Sequence, residues 1–367
     1  MPEQIYPPST QFVAKAKLKK AGYDQMYSAS TDNPEEFWME HGKRIDWMTP
    51  YSKVKNVSYS HPDVSIKWFE DGQLNVSANC VDRHLHSRGS QTAIIWESDD
   101  PDVSKHISYS ELHKQVCKLS NVYKKLGVKK GDRVVLYLPM VPEAAYAMLA
   151  CARIGAVHSI VFAGFSPEAL ASRIKDCGAS LLVTADEAPR GGRATPLKTN
   201  VDKALGICGD IKTLVVERTN GQVPMHDVRD FSYSALMAEA SEDCEPEPMN
   251  AEDPLFILYT SGSTGTPKEC CIHQVVTLFG LPSRTNMSLI IMMATSIGVQ
   301  LTLAGLPAIA TSFMGLLPMA QQHSCLKEFR HIQMLPGSGK YVTNTKSISF
   351  IQRRQQFELS WVRDHNS

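Results

Sequence analysis

The chain has 367 residues, of which 43% are hydrophobic and 21% are charged, and its 38 basic residues are balanced by 38 acidic ones. This composition is typical of a water-soluble enzyme with a large core, and the zero formal net charge gives no support for nucleic-acid binding. The nine cysteines include no Cys-x-x-Cys pair, and the N-terminus shows no apolar signal segment, so we expect a cytoplasmic protein with reduced thiols and no metal site.

Helix and strand patterns alternate between Ser108 and Val216. A first helix is predicted to begin at the capping box Ser108-x-x-Glu111 and to end at Gly127. The alternation continues with predicted strands at 134–138, 158–162 and 180–184, and with predicted helices at 142–153 and from Ser166 onward. Such alternation predicts an α/β fold with mainly parallel sheets covered by helices.

An acidic segment from Glu239 to Pro248 predicts an exposed connection to an apolar strand at Leu255 to Leu258. That strand leads into a loop, from Tyr259 to Lys268, that is rich in Gly, Ser and Thr. Glycines let the backbone approach a polyphosphate, hydroxyls donate to its oxygens, and successive N–H groups can form an anion-binding nest. The loop is not a Walker A motif, and by composition alone a flexible connection is an equally good interpretation.

A second candidate site is the run Arg190-Gly191-Gly192-Arg193, which follows a predicted strand. Two guanidinium groups flank a flexible turn, an arrangement that suits a phosphate group. A solvated turn is the simpler alternative. His84, His113 and His158 stand in no recognisable nucleophile arrangement, and we expect them to be structural or surface residues.

The phosphate loop resembles the signature of the AMP-forming adenylating enzymes, and further segments resemble the acetyl-CoA synthetases in particular. This resemblance covers about residues 23–268, and the segments that carry it are 65–72, 79–85, 93–97, 139–145 and 249–258. Thr266 stands where this family usually has Lys, which removes one charge that would face the phosphates. Ala163 stands where many members have Gly.

The resemblance implies that residues 1–107 are an N-terminal extension of the acetyl-CoA synthetase type and that 108–268 are the first part of the large AMP-binding domain. It also implies two sets of binding residues. The residues implied to hold the ATP phosphates are Thr260, Ser261, Gly262, Ser263, Thr264, Gly265 and Lys268. The residues implied to hold CoA are Phe162, Ala163, Gly164, Arg190, Gly191, Gly192 and Arg193.

In such enzymes acetate attacks the α-phosphate of Mg-ATP, pyrophosphate leaves, and the CoA thiolate then attacks the acetyl-adenylate. Charge builds up on the phosphates, so donors held in place and a metal ion would supply much of the catalysis. The resemblance therefore implies acetate, ATP with Mg²⁺, and CoA as the small-molecule partners. No nucleic acid or membrane is expected as a partner.

After Lys268 the chain reads Glu269-Cys270-Cys271-Ile272-His273, where the family continues Gly-Val-Leu-His. A shift of the reading frame by one base can be tested on the amino-acid sequence. Each codon of the shifted frame combines the third base of one codon with the first two bases of the next. Met292-Met293-Ala294 must then give Asp-Gly, and both Met314-Gly315 and Trp361-Val362 must give Gly. The codons permitted elsewhere allow a continuation typical of the family without a gap. One lost base near the Lys268 codon therefore explains residues 269–367 as an out-of-frame tail.

With such a tail, the acetate pocket, the adenine and ribose contacts and the small C-terminal domain would be absent, and no catalytic residue is assigned. We expect an inactive fragment of an acetate–CoA ligase, and the alternative is a non-catalytic CoA- or nucleotide-binding remnant. A membrane span within the tail is a further alternative, because residues 285–326 carry no Asp, Glu, Lys or Arg. Pro307 and Pro318 argue against it.

Overall fold

The structure is a computed structural model that describes residues 8–15, 19–62, 64–98, 100, 102–190, 192–260, 268–279, 333–334 and 341–342. The chain divides into two compact units, Met1–Leu316 and Leu317–Ser367. In the second unit the described residues form one antiparallel pair, Gln333–Met334 with Tyr341–Val342. The predicted membrane-spanning alternative lies outside the described residues, and no described helix is long and apolar enough to cross a membrane.

The N-terminal part of the first unit consists of short elements. Its helices are α1 (Thr10–Lys15), α2 (Lys20–Asp32), α3 (Pro34–Gly42), α4 (Val76–Cys80), a 3-10 turn (Asp82–His84) and α5 (Leu85–Arg88). Its strands are β1 (Lys55–Ser58), β2 (Ser65–Trp68), β3 (Gln73–Leu74), β4 (Thr92–Glu97) and β5 (Ser104–Ser108). The rings of Trp47, Tyr51 and Phe69 pack together, with Tyr51 and Phe69 centroids 4.5 Å apart.

The rest of the first unit is built around a seven-stranded sheet. The strands after β5 are β6 (Arg133–Tyr137), β7 (Val157–Ile160), β8 (Leu181–Ala185), β9 (Ala188–Arg190), β10 (Arg193–Thr195), β11 (Lys212–Val216), β12 (Asp230–Ser232), β13 (Met249–Asn250), β14 (Pro254–Thr260) and β15 (Lys268–His273). The helices are α6 (Tyr109–Lys125), α7 (Pro142–Ile154), α8 (Pro167–Cys177), α9 (Leu197–Cys208), α10 (Tyr233–Glu239) and α11 (Gln274–Phe279).

The order across the sheet is β12-β11-β8-β6-β7-β14-β15. All neighbours are parallel except β14 and β15, which form an antiparallel pair at the edge. The chain runs from β6 to β7 on one side and then returns to β8 on the other side of β6. The strand order therefore reverses at β6, and in open α/β sheets a ligand-binding crevice commonly lies outside the carboxyl ends at such a point.

Local sequence signals explain where the helices begin and end. Ser108 caps α6 by accepting a hydrogen bond from the Glu111 N–H at 3.1 Å, and Ser166 caps α8 in the same way from Ala169 at 3.4 Å. Gly155 ends α7 with φ 71°, a left-handed conformation that favours glycine. The predicted α/β fold with a mainly parallel sheet is confirmed, and each predicted element between 108 and 185 is present with ends that differ by one or two residues.

A buried ion cluster joins the N-terminal part to the helices that pack on the sheet. Arg153, with 3% of its side chain exposed, donates from two nitrogens to the two carboxylate oxygens of Asp82, each at 2.9 Å. Its Nε donates to the carbonyl of Cys244. Cys244 lies in the predicted acidic connection, which is largely exposed but is fixed at this buried residue.

Candidate functional site

Strands β8, β6, β7 and β14 are adjacent and parallel, so their carboxyl ends lie along one edge of the sheet. The predicted site residues follow these ends. Phe162, Ala163 and Gly164 come after β7, the paired strands β9 and β10 come after β8, and Thr260 is the last residue of β14. The fold therefore brings the three predicted segments to the same edge.

Residues 162–165 form a tight turn, which we call the β7 loop. The Phe165 N–H donates to the Phe162 carbonyl at 2.9 Å, and the two rings meet edge to face with centroids 5.7 Å apart. Gly164 is exposed, and a Cβ added to it would lie 2.4 Å from the Phe162 ring. The loop therefore needs glycine at this position as long as Phe162 keeps its place.

The predicted guanidinium turn is an antiparallel hairpin of β9 and β10. Arg190 and Arg193 are register partners, so the backbone places these two residues opposite each other. Gly192 has φ 76°, which favours glycine, and Arg193 is exposed. Gly191 lies outside the described residues.

The predicted phosphate loop connects β14 to β15. Its two ends, Thr260 and Lys268, are register partners across the antiparallel pair. The intervening predicted residues Ser261, Gly262, Ser263, Thr264 and Gly265 lie outside the described residues. The strand pairing thus holds the two ends of the predicted loop together.

Arg173 joins the β7 loop to the strand that precedes the phosphate loop. Its guanidinium carbon lies 4.7 Å from the ring centroid of Phe165 and 5.3 Å from that of Tyr259. Only 8% of Arg173 is exposed, and its Nη1 donates to the Ala169 carbonyl at 2.8 Å. Burial lowers the pKa of this guanidinium. Sequence reasoning missed Arg173, although a cation on the buried face of α8, between Leu170 and Ile174, is a detectable signal.

Tyr137 is a second residue at this site that the sequence did not identify. It is the last residue of β6, and its buried hydroxyl contacts the carbonyls of Ala163 and Phe165 at 3.0 and 2.9 Å. Asn200 of α9 donates to the same hydroxyl at 3.4 Å. A tyrosine at the end of a buried strand carries no sequence signal that separates this contact from ordinary packing.

The three histidines have environments that differ strongly. His158 is buried and lies parallel to the Phe256 ring, and burial lowers its pKa to about 3. His84 is nearly buried, and burial lowers its pKa to about 4. A hydrogen bond to Asp82 raises the pKa of His113 to about 9. His113 belongs to α6 and lies in the ion cluster with Arg153 and Asp82.

Among the described residues, Asp202, His226 and Asp230 are close enough together to hold a metal ion. Lys198, whose side chain is fully buried, pairs with Asp202 at 2.7 Å and with Asp230 at 2.8 Å. Arg229 pairs with the same two carboxylates. Because two cations already compensate these carboxylates, the cluster fits an internal ion-pair network and does not fit Mg²⁺.

Comparison with known proteins defines the class. Residues 81–326 match the model of the AMP-binding enzyme family, and residues 23–80 match the acetyl-coenzyme A synthetase N-terminus. The chain therefore belongs to the AMP-binding enzymes. The match of the family model continues beyond Lys268, and the predicted boundaries at 107 and 268 stay predictions.

Individual relatives narrow the resemblance to the acetyl-coenzyme A synthetases, which confirms the expectation from the sequence. The chain is 58% identical to an acetyl-coenzyme A synthetase of Methylorubrum extorquens over 271 residues, which cover 73% of this chain and 42% of that protein. It is 60% identical to that of Aeromonas salmonicida over 267 residues, which cover 72% and 41%. The chain thus spans less than half the length of these relatives.

A solved structure supports the fold. Acetoacetyl-CoA synthetase from Streptomyces lividans superposes with a TM-score of 0.65 at 24% identity, covering 74% of this chain and 43% of that one. At this identity the likeness bears on the fold alone.

Proposed function

We propose that the chain is part of an acetate–CoA ligase that forms acetyl-CoA through acetyl-AMP and releases pyrophosphate. The observation that carries the proposal is that three segments follow neighbouring strands of the sheet at their carboxyl ends. These segments are the β7 loop, the β9–β10 hairpin and the ends of the phosphate loop. The family match and the identity to acetyl-coenzyme A synthetases support the choice of acetate, ATP and CoA as substrates. The expected location is the cytosol.

In this proposal the phosphate loop, with Lys268 at its end, holds the β- and γ-phosphates of ATP. Mg²⁺ bound with the nucleotide would neutralise charge that builds up on the phosphates. The Thr and Ser hydroxyls and backbone N–H groups of the loop would donate to the phosphate oxygens, and the Lys268 ammonium would add a positive charge.

CoA would lie along the β7 loop and the β9–β10 hairpin. The hairpin places the backbones of Arg190 and Arg193 opposite each other. By the resemblance to the acetyl-CoA synthetases, Arg190 and Arg193 would donate hydrogen bonds to a phosphate of CoA. We therefore assign the nucleotide end of CoA to the hairpin.

We further propose that the 367-residue chain does not complete the reaction, because in the shifted-frame interpretation residues 269–367 replace the family sequence that follows Lys268. The alternative, a CoA- or nucleotide-binding protein without catalysis, uses the same two predicted sites. Neither proposal allows this chain to catalyse adenylation, so the exchange assay tests the inactivity that both share.

The test measures CoA binding and acetate-dependent ATP–pyrophosphate exchange with the 367-residue chain. We expect CoA to bind and exchange to be absent, and exchange above background would refute the inactive interpretation. Arg193→Gln should weaken CoA binding about tenfold through loss of a charge-assisted contact. Arg218→Gln is a matched control, since Arg218 stacks on Trp96 with its guanidinium carbon 5.1 Å from the ring. Equal affinity of the parent and Arg193→Gln would refute the assignment of CoA to the hairpin.

A further inference from the structure

Tyr137 lies where the strand order of the large sheet reverses. It ends β6, which has β7 on one side and β8 on the other. Its backbone is tied to β8, because the Thr184 hydroxyl donates to the Tyr137 carbonyl at 3.0 Å. The side chain is completely buried. Its position is therefore set by both neighbouring strands.

The Tyr137 hydroxyl serves two elements that follow these strands. On one side it contacts the carbonyls of Ala163 and Phe165 in the β7 loop, at 3.0 and 2.9 Å. On the other side it accepts a hydrogen bond from Asn200 of α9, at 3.4 Å. The hydroxyl has one proton, so the two loop carbonyls share a single donor. A tyrosine hydroxyl is protonated at neutral pH, and burial raises the pKa of Tyr137 further.

We infer that Tyr137 is a positioning residue for the CoA site: its hydroxyl holds the β7 loop and α9 in one fixed arrangement, and the hairpin that carries Arg193 directly precedes α9. The inference rests on the proposed function, which assigns CoA to the β7 loop and the hairpin. Tyr137 is placed to join these two halves of the site, although it belongs to neither set of predicted contact residues.

The loop has a second anchor, which makes the inference testable without unfolding the site. The guanidinium of Arg173 packs on the Phe165 ring from α8, at 4.7 Å. Removal of the Tyr137 hydroxyl should therefore loosen the turn and leave it attached. Because binding depends on how much of a site is fixed in advance, a looser turn should bind CoA more weakly.

The experiment compares Tyr137→Phe with the matched control Tyr123→Phe. Tyr123 is also completely buried, and its hydroxyl has no hydrogen-bond partner among the residues that the structure describes. Each variant loses one buried oxygen, but only the first loses bonds to the β7 loop. The affinities for CoA and for ATP are measured by equilibrium dialysis, and loop mobility by hydrogen exchange at the amide of Phe165, which donates to the Phe162 carbonyl at 2.9 Å.

We expect Tyr137→Phe to bind CoA about tenfold more weakly and to exchange the Phe165 amide about tenfold faster, while its affinity for ATP stays within about twofold of the parent. Tyr123→Phe should match the parent in all three measurements. Unchanged CoA affinity or unchanged exchange in Tyr137→Phe would overturn the inference, and so would equal effects in both variants.

Failure of the proposed function is a separate outcome. If the parent chain binds no CoA, the assignment of CoA to this edge is refuted, and the CoA part of the inference is refuted with it. Hydrogen exchange would still decide whether Tyr137 holds the β7 loop, because that measurement needs no ligand.

Discussion

At the residue scale, the contact of Arg153 with Asp82 links the N-terminal part to helix α7. Arg153 is 3% exposed and makes two 2.9 Å contacts with the carboxylate. Arg153→Met should reduce the free energy of unfolding by about 3 kcal/mol, because the partly buried Asp82 carboxylate loses two hydrogen bonds and keeps only His113 as a cationic partner in this cluster. Urea unfolding measures the loss.

A paired substitution separates the ion pair from packing. If the cost comes from the weaker compensation of the Asp82 charge, Arg153→Met combined with Asp82→Asn should be more stable than Arg153→Met alone. A double variant that is as unstable as the sum of the two single variants would contradict this account of the cluster.

His113 gives the same cluster a pH dependence. The Asp82 hydrogen bond raises the pKa of His113 to about 9 in the folded chain, from 6.5. The protonated His113 therefore stabilises the fold fully below about pH 6.5, and this contribution is lost as the pH rises through about 9. Burial opposes ionisation of Asp82, but the hydrogen bonds from His113 and Arg153 outweigh it and lower its pKa to about 2. Asp82 is thus ionised throughout that range.

The stability difference between the parent and His113→Leu should shrink, by on the order of 3 kcal/mol, between about pH 6 and about pH 9.5. Unfolding curves at several pH values measure it. His106→Leu, at an exposed position, is the control and should differ from the parent by only a small amount. A difference for His113→Leu that does not change with pH would show that the charge on His113 is irrelevant to stability.

At the element scale, the end of α7 depends on a glycine. Gly155 has φ 71°, and a Cβ there would lie 2.5 Å from the Met249 sulfur. Gly155→Ala should cost about 1–3 kcal/mol, through backbone strain and the contact with Met249. Gly206→Ala is the matched control, because Gly206 lies within α9 with nothing within 4 Å of an added Cβ. That change should stabilise the chain by about 0.5–1 kcal/mol.

The two glycine variants are compared by thermal or urea unfolding. Destabilisation of similar size in both would contradict the conformational argument, since only Gly155 has a backbone that disfavours alanine.

The elements were predictable where local signals coincide with burial. The Ser108 cap, the Pro at the start of α7 and the apolar runs of β6 and β8 identify their elements from sequence. The β9–β10 pairing was not predicted, because three-residue strands around a Gly-Gly turn show no periodicity. The antiparallel edge strand β15 was also not predicted, since pairing direction is a property of the sheet.

At the scale of the whole molecule, the segments that carry the motifs were predictable from the sequence, but the side-chain contacts that join these segments were not. The phosphate loop and the hairpin carry glycines, hydroxyls and cations of the kinds that suit phosphate, whereas the β7 loop was predicted only through the resemblance to the family. Tyr137 and Arg173 act through contacts between residues far apart in the sequence. Such contacts depend on strand order, which a single sequence does not specify.

We infer that the out-of-frame tail begins at the codon of Lys268, directly after the sequence that resembles the family. The most direct measurement is acetate-dependent ATP–pyrophosphate exchange by two products of the gene, the 367-residue chain and the product made after one base is restored beside that codon. We expect exchange from the restored product and none from the 367-residue chain. Exchange by the shorter chain, or its absence from a folded restored product, would contradict the account.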